Sequence, residues 1–182
     1  GLLALYQTLL EINAQTDLSL LLPAIVERAV NLLGAPMGAL YLAVEDPTGQ
    51  ALQELELVVS YRLPEGFLGK RLRWGEGVSG RVAQSGEILV VEDYIIWPYK
   101  APQFADARFH RILAVPLKIQ ERVLGVINIT DDVKCGPFEP EEIQLVSLFA
   151  QQAAIAIHNA RLYETAQTEL AERKRAEEGL AR

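Results

Sequence analysis

The residue types that carry chemistry are few in this chain, and they are scattered. Cys135 is the single thiol, and His110 and His158 are the two imidazoles. Thiol exchange with turnover needs a second, resolving cysteine, and one Cys excludes both a disulfide framework and a Cys-rich zinc site. Cys135 follows the last strand-like segment and reads as a remote, inert thiol near a turn. His110 opens a strand beside an irregular loop, whereas His158 falls on a helix beside Asn159. As isolated histidines both read as structural, so no metal ligand is assigned. The segment Gly77-Val-Ser-Gly80 lacks the spacing of a nucleophile elbow. No catalytic residue is assigned.

Binding is better served than catalysis. Tyr94, Trp97, Tyr99, Phe104 and Phe109 crowd a stretch without periodicity from Asp93 to Arg108 and just beyond. These rings can wall an apolar cavity whose polar ends are Asp93 and Arg108, with His110 placed to face it, or they can simply close the core. The residues leave both readings open. Upstream, glycines at 75, 77, 80 and 86 enclose a short helical segment, Val78 to Ser85. A helix start with Arg81 beside it suits an anion, and the plain alternative is a helix entry with a surface cation.

The elements that must position these residues follow from periodicity. A first helix carries Leu2, Leu5, Leu9 and Ile12 at spacings of three and four. A second, capped at Asp17 or Ser19, presents Leu22, Ile25, Val26, Ala29 and Leu33 and stops at Gly34-Ala-Pro36. Strands follow at Gly38–Val44 and Leu55–Tyr61 across a turn-rich connection, then Ile88–Val91, then a hairpin of Arg111–Ile119 with Val123–Thr130. Pro116 points to an edge position or a bulge. A last helix opens with Glu139, Glu141 and Glu142, where negative charge complements the helix dipole, and runs to Gly179. At ~1.5 Å per residue such a helix spans ~60 Å and must project from the domain. Its first part, to Ala160, is apolar and Ala-rich; the remainder is charged and reads as solvated or coiled-coil helix.

Composition sets the outer limits. The chain has 182 residues, half of them apolar, enough for one well-stocked core, and a net charge of −7 that disfavours a phosphate backbone as partner. Nucleic acid is not expected. No uncharged stretch is continuously apolar over the ~20 residues that a bilayer needs, and no signal peptide is read at the N-terminus. A reducing, cytoplasmic setting is the expectation.

The order of these elements, with Gly75-Glu-Gly-Val-Ser-Gly-Arg-Val-Ala-Gln-Ser-Gly86, Val90-Val-Glu-Asp93, Ala114-Val-Pro-Leu117 and Val123-Leu-Gly-Val-Ile-Asn128, resembles the GAF domain over roughly Leu18 to Leu162. The tail Ala171–Leu180 resembles the signalling helix that leads into a PAS or histidine-kinase domain in bacterial sensors. The resemblance implies an α+β (α/β sandwich) fold: a six-stranded, mainly antiparallel sheet with the terminal helices on one face and a ligand pocket on the other. It also implies a sensory or dimerising module and not a catalyst. A covalent bilin is not expected, because the loop corresponding to its attachment site has no Cys, and haem is disfavoured by the two unlike histidines. Cyclic-nucleotide members carry an Asn-Lys pair, whereas Asn128 is followed by Ile129, so that match is partial and the ligand stays unknown.

The expectation is therefore a regulatory GAF module at 17–162, a dimerising helix at 1–16 and a signalling helix at 163–182, in a bacterial signalling protein of the histidine-kinase type. Expected ligand contacts are Arg81, Asp93, Tyr94, Trp97, Tyr99, Phe104, Phe109, His110 and Asn128. Expected homodimer contacts are Leu2, Leu5, Leu9 and Ile12 with Phe149, Ala153, Ala156, Ala160 and Tyr163. The rival reading is a structural spacer without a ligand, and a sheet-face cavity below ~300 Å³ favours it.

Overall fold

A computed structural model of the chain describes residues 2–4 and 17–180. The expected seam residues Leu5, Leu9 and Ile12 lie outside the described residues, while Leu2 is helical and exposed.

The first long helix, α1 (Leu18–Leu33), begins and ends as its sequence predicts. The Asp17 carboxylate accepts from the Ser19 amide at 2.9 Å, and Gly34 closes the last turn in the left-handed conformation. Six strands follow: β1 (Met37–Glu45), β2 (Ala51–Tyr61), β3 (Arg71–Arg73), β4 (Leu89–Val91), β5 (Ile112–Ile119) and β6 (Arg122–Thr130). They form one sheet in the order β3-β2-β1-β6-β5-β4, with every neighbouring pair antiparallel. Two helices complete the fold, α2 (Gly77–Ser85) and α3 (Pro140–Leu180). Sequence reading misses β3, because three residues are too few to show alternation.

The sheet is buried on both faces, and the period of two decides what goes where. Leu40 of β1, Leu113 and Val115 of β5, and Ile127 and Ile129 of β6 pack under α1 and the first half of α3. Ala39 and Tyr41 of β1, Ile112 and Ala114 of β5, and Val126 of β6 face the opposite way, toward α2 and the long loop. This is the two-faced architecture expected from the family resemblance. Pro116 is accommodated because β4 pairs only as far as Ala114, so β5 has no neighbour on that side at the proline. A register shift follows at Leu117/Lys118. Of the two alternatives expected for Pro116, the edge position is the one that holds, since Pro116 itself stays in register with Val126.

One glycine explains how α2 seats against the sheet. A Cβ at Gly80 would drive into the Arg73 carbonyl, so only Gly allows the helix to start directly against β3. That close approach fixes the height at which α2 holds Ser79 over the sheet.

Helix α3 is a single 41-residue element. Val146, Ala150, Ala153, Ala154 and Ile157 are buried against the domain, and from Glu164 every described residue is exposed. This corrects one expected interface position. Ala153 is 0% exposed and belongs to the core, since a small residue there lets α3 lie close on the sheet. Phe149, Ala156, Ala160 and Tyr163 are half-buried, and the outward large apolar residues are Leu148, Ile155 and Leu162, spaced by seven, with Leu170 and Leu180 farther along the projecting part. No helix among the described residues is long and apolar enough to cross a membrane.

Candidate functional site

The hollow on the second sheet face is built around Asn128. Its direct neighbours across the ladders are Ala39 on β1 and Ala114 on β5, two small residues that leave space above the amide. Val126 and Thr130 share its side of β6, so the parity that buries Ile127 and Ile129 under the helices aims Asn128 into the hollow. From above, α2 supplies Ser79, whose hydroxyl accepts from Asn128 Nδ2 at 2.8 Å. Asn128 Oδ1 is buried with no hydrogen-bond partner. The Tyr41 hydroxyl also belongs to this cluster. Burial pushes its phenol far above the ordinary value, against a smaller opposing hydrogen bond with Ser79.

Aromatic side chains close the hollow. Phe67, from the loop after β2, meets Phe104 edge-on at 5.2 Å and Phe109 at 6.0 Å between ring centres. The Tyr94 hydroxyl donates to the Phe104 carbonyl at 3.0 Å and so ties together two 3-10 turns, Tyr94–Ile96 and Pro102–Phe104. Burial raises the Tyr94 phenol to about 12. The enclosed space is about 40 Å³, and no charged side chain lines it. That volume admits water but is well below the ~300 Å³ of a ligand pocket.

Of the nine expected ligand contacts, Tyr94, Phe104, Phe109 and Asn128 line the hollow. The other five do not. Arg81 stacks on Tyr99 at 4.0 Å and lies 5.7 Å from the Trp97 ring centre, so those three form a cation–aromatic cluster apart from the hollow. Asp93 and His110 bond to each other, with Oδ1 3.0 Å from Nδ1. Sequence reasoning misses Tyr41, Ser79 and Phe67. Tyr41 and Ser79 had a usable signal, namely strand parity with Ala39 for the first and a first-turn position in a glycine-flanked helix for the second.

Cys135 is not remote. Its Sγ lies 3.3 Å from the same His110 Nδ1 that meets Asp93. This corrects the expectation that no thiol approaches an imidazole. It does not make a nucleophilic relay, which needs the base and the orienting carboxylate on different ring nitrogens. Desolvation by the neighbouring groups, and then the Asp93 charge, push the exposed Cys135 thiol upward, the opposite of activation. The His110 hydrogen bond chiefly, with one from the Ile95 amide, holds Asp93 below the usual carboxylate range.

A family model described as the GAF domain matches residues 17–157. The chain belongs to the GAF domain family. Over 108 residues it is 29% identical to Dual 3',5'-cyclic-AMP and -GMP phosphodiesterase 11 of Drosophila melanogaster, a match covering 55% of this chain and 7% of that protein. The GAF domain from a phosphoenolpyruvate-protein phosphotransferase of Coxiella burnetii superposes with a TM-score of 0.71 at 27% identity, covering 90% of this chain and 96% of that one. Free methionine-R-sulfoxide reductase of Neisseria meningitidis gives 0.67 at 19% identity, covering 85% and 86%. That last likeness is one of fold alone. GAF domains are typical of regulatory modules in signalling proteins, and this GAF domain carries the two-faced sheet of that family with a charge-free hollow on the face away from α1 and α3.

Proposed function

We propose that this GAF domain is the sensory module of a bacterial, cytoplasmic signalling protein of the histidine-kinase type, with a PAS or kinase domain following the signalling helix at 163–182. In this reading residues 17–162 bind a small neutral molecule in the sheet-face hollow. The unpartnered Oδ1 of Asn128 carries the proposal, since a buried acceptor left unpaired costs about 1–3 kcal/mol and a core needing only to be filled would place an apolar side chain there. A ligand that donates a hydrogen bond to Oδ1 and stacks on the aromatic side chains satisfies the site. Among the described residues no cationic side chain lines the hollow, the nearest being Lys70 on the outer side of Phe67 and Phe104 and Lys100 over Tyr94, so the lining itself favours a neutral ligand over a phosphorylated one such as a cyclic nucleotide. In this reading the segment 92–110, which carries Tyr94, Phe104 and Phe109, rearranges as a ligand enters. The segment's rearrangement would pass to a homodimeric bundle of the terminal helices, shifting its packing between two arrangements.

The 40 Å³ volume favours the second reading, a dimerising spacer whose hollow is closed by its own side chains. Native mass spectrometry of the gently purified chain separates the two. A dimer with a non-covalent adduct that denaturation removes supports sensing. A clean dimer shifts the assignment to the spacer, and a clean monomer at micromolar concentration removes the dimer relay.

A further inference from the structure

We infer that Asp93, His110 and Cys135 form a three-ligand site for one divalent transition-metal ion of the zinc class. The three come from separate segments, before the long loop, before β5 and after β6, yet one ligand atom of each lies within 4.8 Å of the others. Two of the separations are 3.0 Å (Asp93 Oδ1 to His110 Nδ1) and 3.3 Å (Cys135 Sγ to His110 Nδ1). With zinc bonds of about 2.0–2.3 Å, the corresponding edges of a tetrahedron are about 3.3–3.6 Å. An ion enters if the ligand atoms spread by a few tenths of an ångström.

The backbone holds the ligands in place. The Tyr94 amide donates to the His110 carbonyl at 2.7 Å, and the His110 amide donates to the Asp131 carbonyl at 2.8 Å. The Arg111 amide donates to Lys134 at 3.1 Å, and the Gly136 amide donates to Glu92 at 2.9 Å. Every ligand or its immediate neighbour is therefore bonded to the segment of another. The Asp131 carboxylate, buried beside them, tightens the 131–134 turn by accepting from the Val133 and Lys134 amides at 2.8 Å each.

Without an ion Asp93 is the shared acceptor, since His110 Nδ1–H donates to its Oδ1 at 3.0 Å and the Cys135 thiol bonds to the same carboxylate. An ion replaces both of those protons: Nδ1 ligates through its lone pair, the ring proton resides on Nε2, and the thiol releases its proton to solvent. One thiolate and one carboxylate then balance the two positive charges. The sulfur–nitrogen–oxygen set suits zinc, cobalt or ferrous ions and not magnesium or calcium. Cys135 is exposed, which leaves the fourth position open to water. The ion would brace Asp93, which caps the turn carrying Tyr94, to the segment that leads into α3.

The test is titration of the chelator-stripped, reduced chain with cobalt(II) alone, followed by absorption. One equivalent should produce a thiolate-to-cobalt charge-transfer band in the near ultraviolet with intense visible d–d bands, and zinc should bleach them. Cys135→Ser should abolish the charge-transfer band. His110→Gln and Asp93→Asn, which keep the thiol, should each weaken binding at least about tenfold while circular dichroism and Tm confirm the fold. His158→Gln should change nothing. A folded chain without the band, or a titration that His110→Gln and Asp93→Asn leave unchanged, overturns the site. The outcome is independent of whether the hollow binds a ligand.

Discussion

Asn128 on β6 donates to Ser79 on α2 at 2.8 Å across 49 positions of sequence, and its own carbonyl oxygen is left unpaired in the hollow between them. A polar bridge of this kind locks helix to sheet but is only partly satisfied, so its removal separates stability from function. Replacing all the linked partners by apolar residues, Ser79→Ala and Asn128→Leu with Tyr41→Phe so that the phenol is not stranded, should leave stability in urea within ~1 kcal/mol of the parent or above it. Asn128→Ala alone should cost about 1–3 kcal/mol, because it takes one of the two partners from the Ser79 hydroxyl and widens the void. Any adduct seen by native mass spectrometry should be absent from the triple variant. Retention of the adduct there would remove Asn128 from the recognition site.

Among the described residues, the Tyr94 hydroxyl makes the one side-chain hydrogen bond that joins the two 3-10 turns of the long loop. Tyr94→Phe keeps the ring stacking but leaves the Phe104 carbonyl without its donor. Global stability should fall by about 1 kcal/mol. Amide hydrogen exchange in residues 94–107 should accelerate more than exchange in β6, as expected when one cooperative unit opens ahead of the core. Equal acceleration in both would show that the loop does not open by itself.

Asp93 ties protonation to stability. Its folded pKa lies below the ordinary carboxylate value because the His110 ring and the Ile95 amide hydrogen-bond the ionised form. The stabilisation is therefore complete above the ordinary value of about 4 and is lost as pH falls through the lower folded value. With chelator present, the parent should be more stable than Asp93→Asn at pH 6–7, and the gap should narrow progressively below about pH 4. Urea midpoints across that range read the effect, and a gap that widens in acid would contradict it.

Leu148, Ile155 and Leu162 of α3 face outward at a spacing of seven, whereas Ala153 is in the core. Ile155→Glu with Leu162→Glu should convert a dimer to a monomer in sedimentation equilibrium with little change in Tm. Ala153→Glu should instead unfold the domain, because it forces an unpaired charge beneath the helix. A double glutamate variant that remains dimeric would move the interface elsewhere.

What the sequence determined by itself was local. The apolar, β-branched runs of β1, β5 and β6, the Asp17 cap, the Gly34 stop and the uninterrupted run of α3 are properties of neighbouring residues, and they were legible without the fold. The GAF resemblance rested on such local stretches, and the family match over residues 17–157 agrees with it. The candidate sites were decided only by tertiary structure. The loop from Asp93 to Arg108 has no period, so nothing in its order separates Tyr94 and Phe104, which line the hollow, from Trp97 and Tyr99, which stack with Arg81. Asp93, His110 and Cys135 lie 17 and 25 positions apart and meet because the sheet order places the ends of β4, β5 and β6 side by side. Periodicity reports which way a side chain faces; strand pairing decides what it meets there.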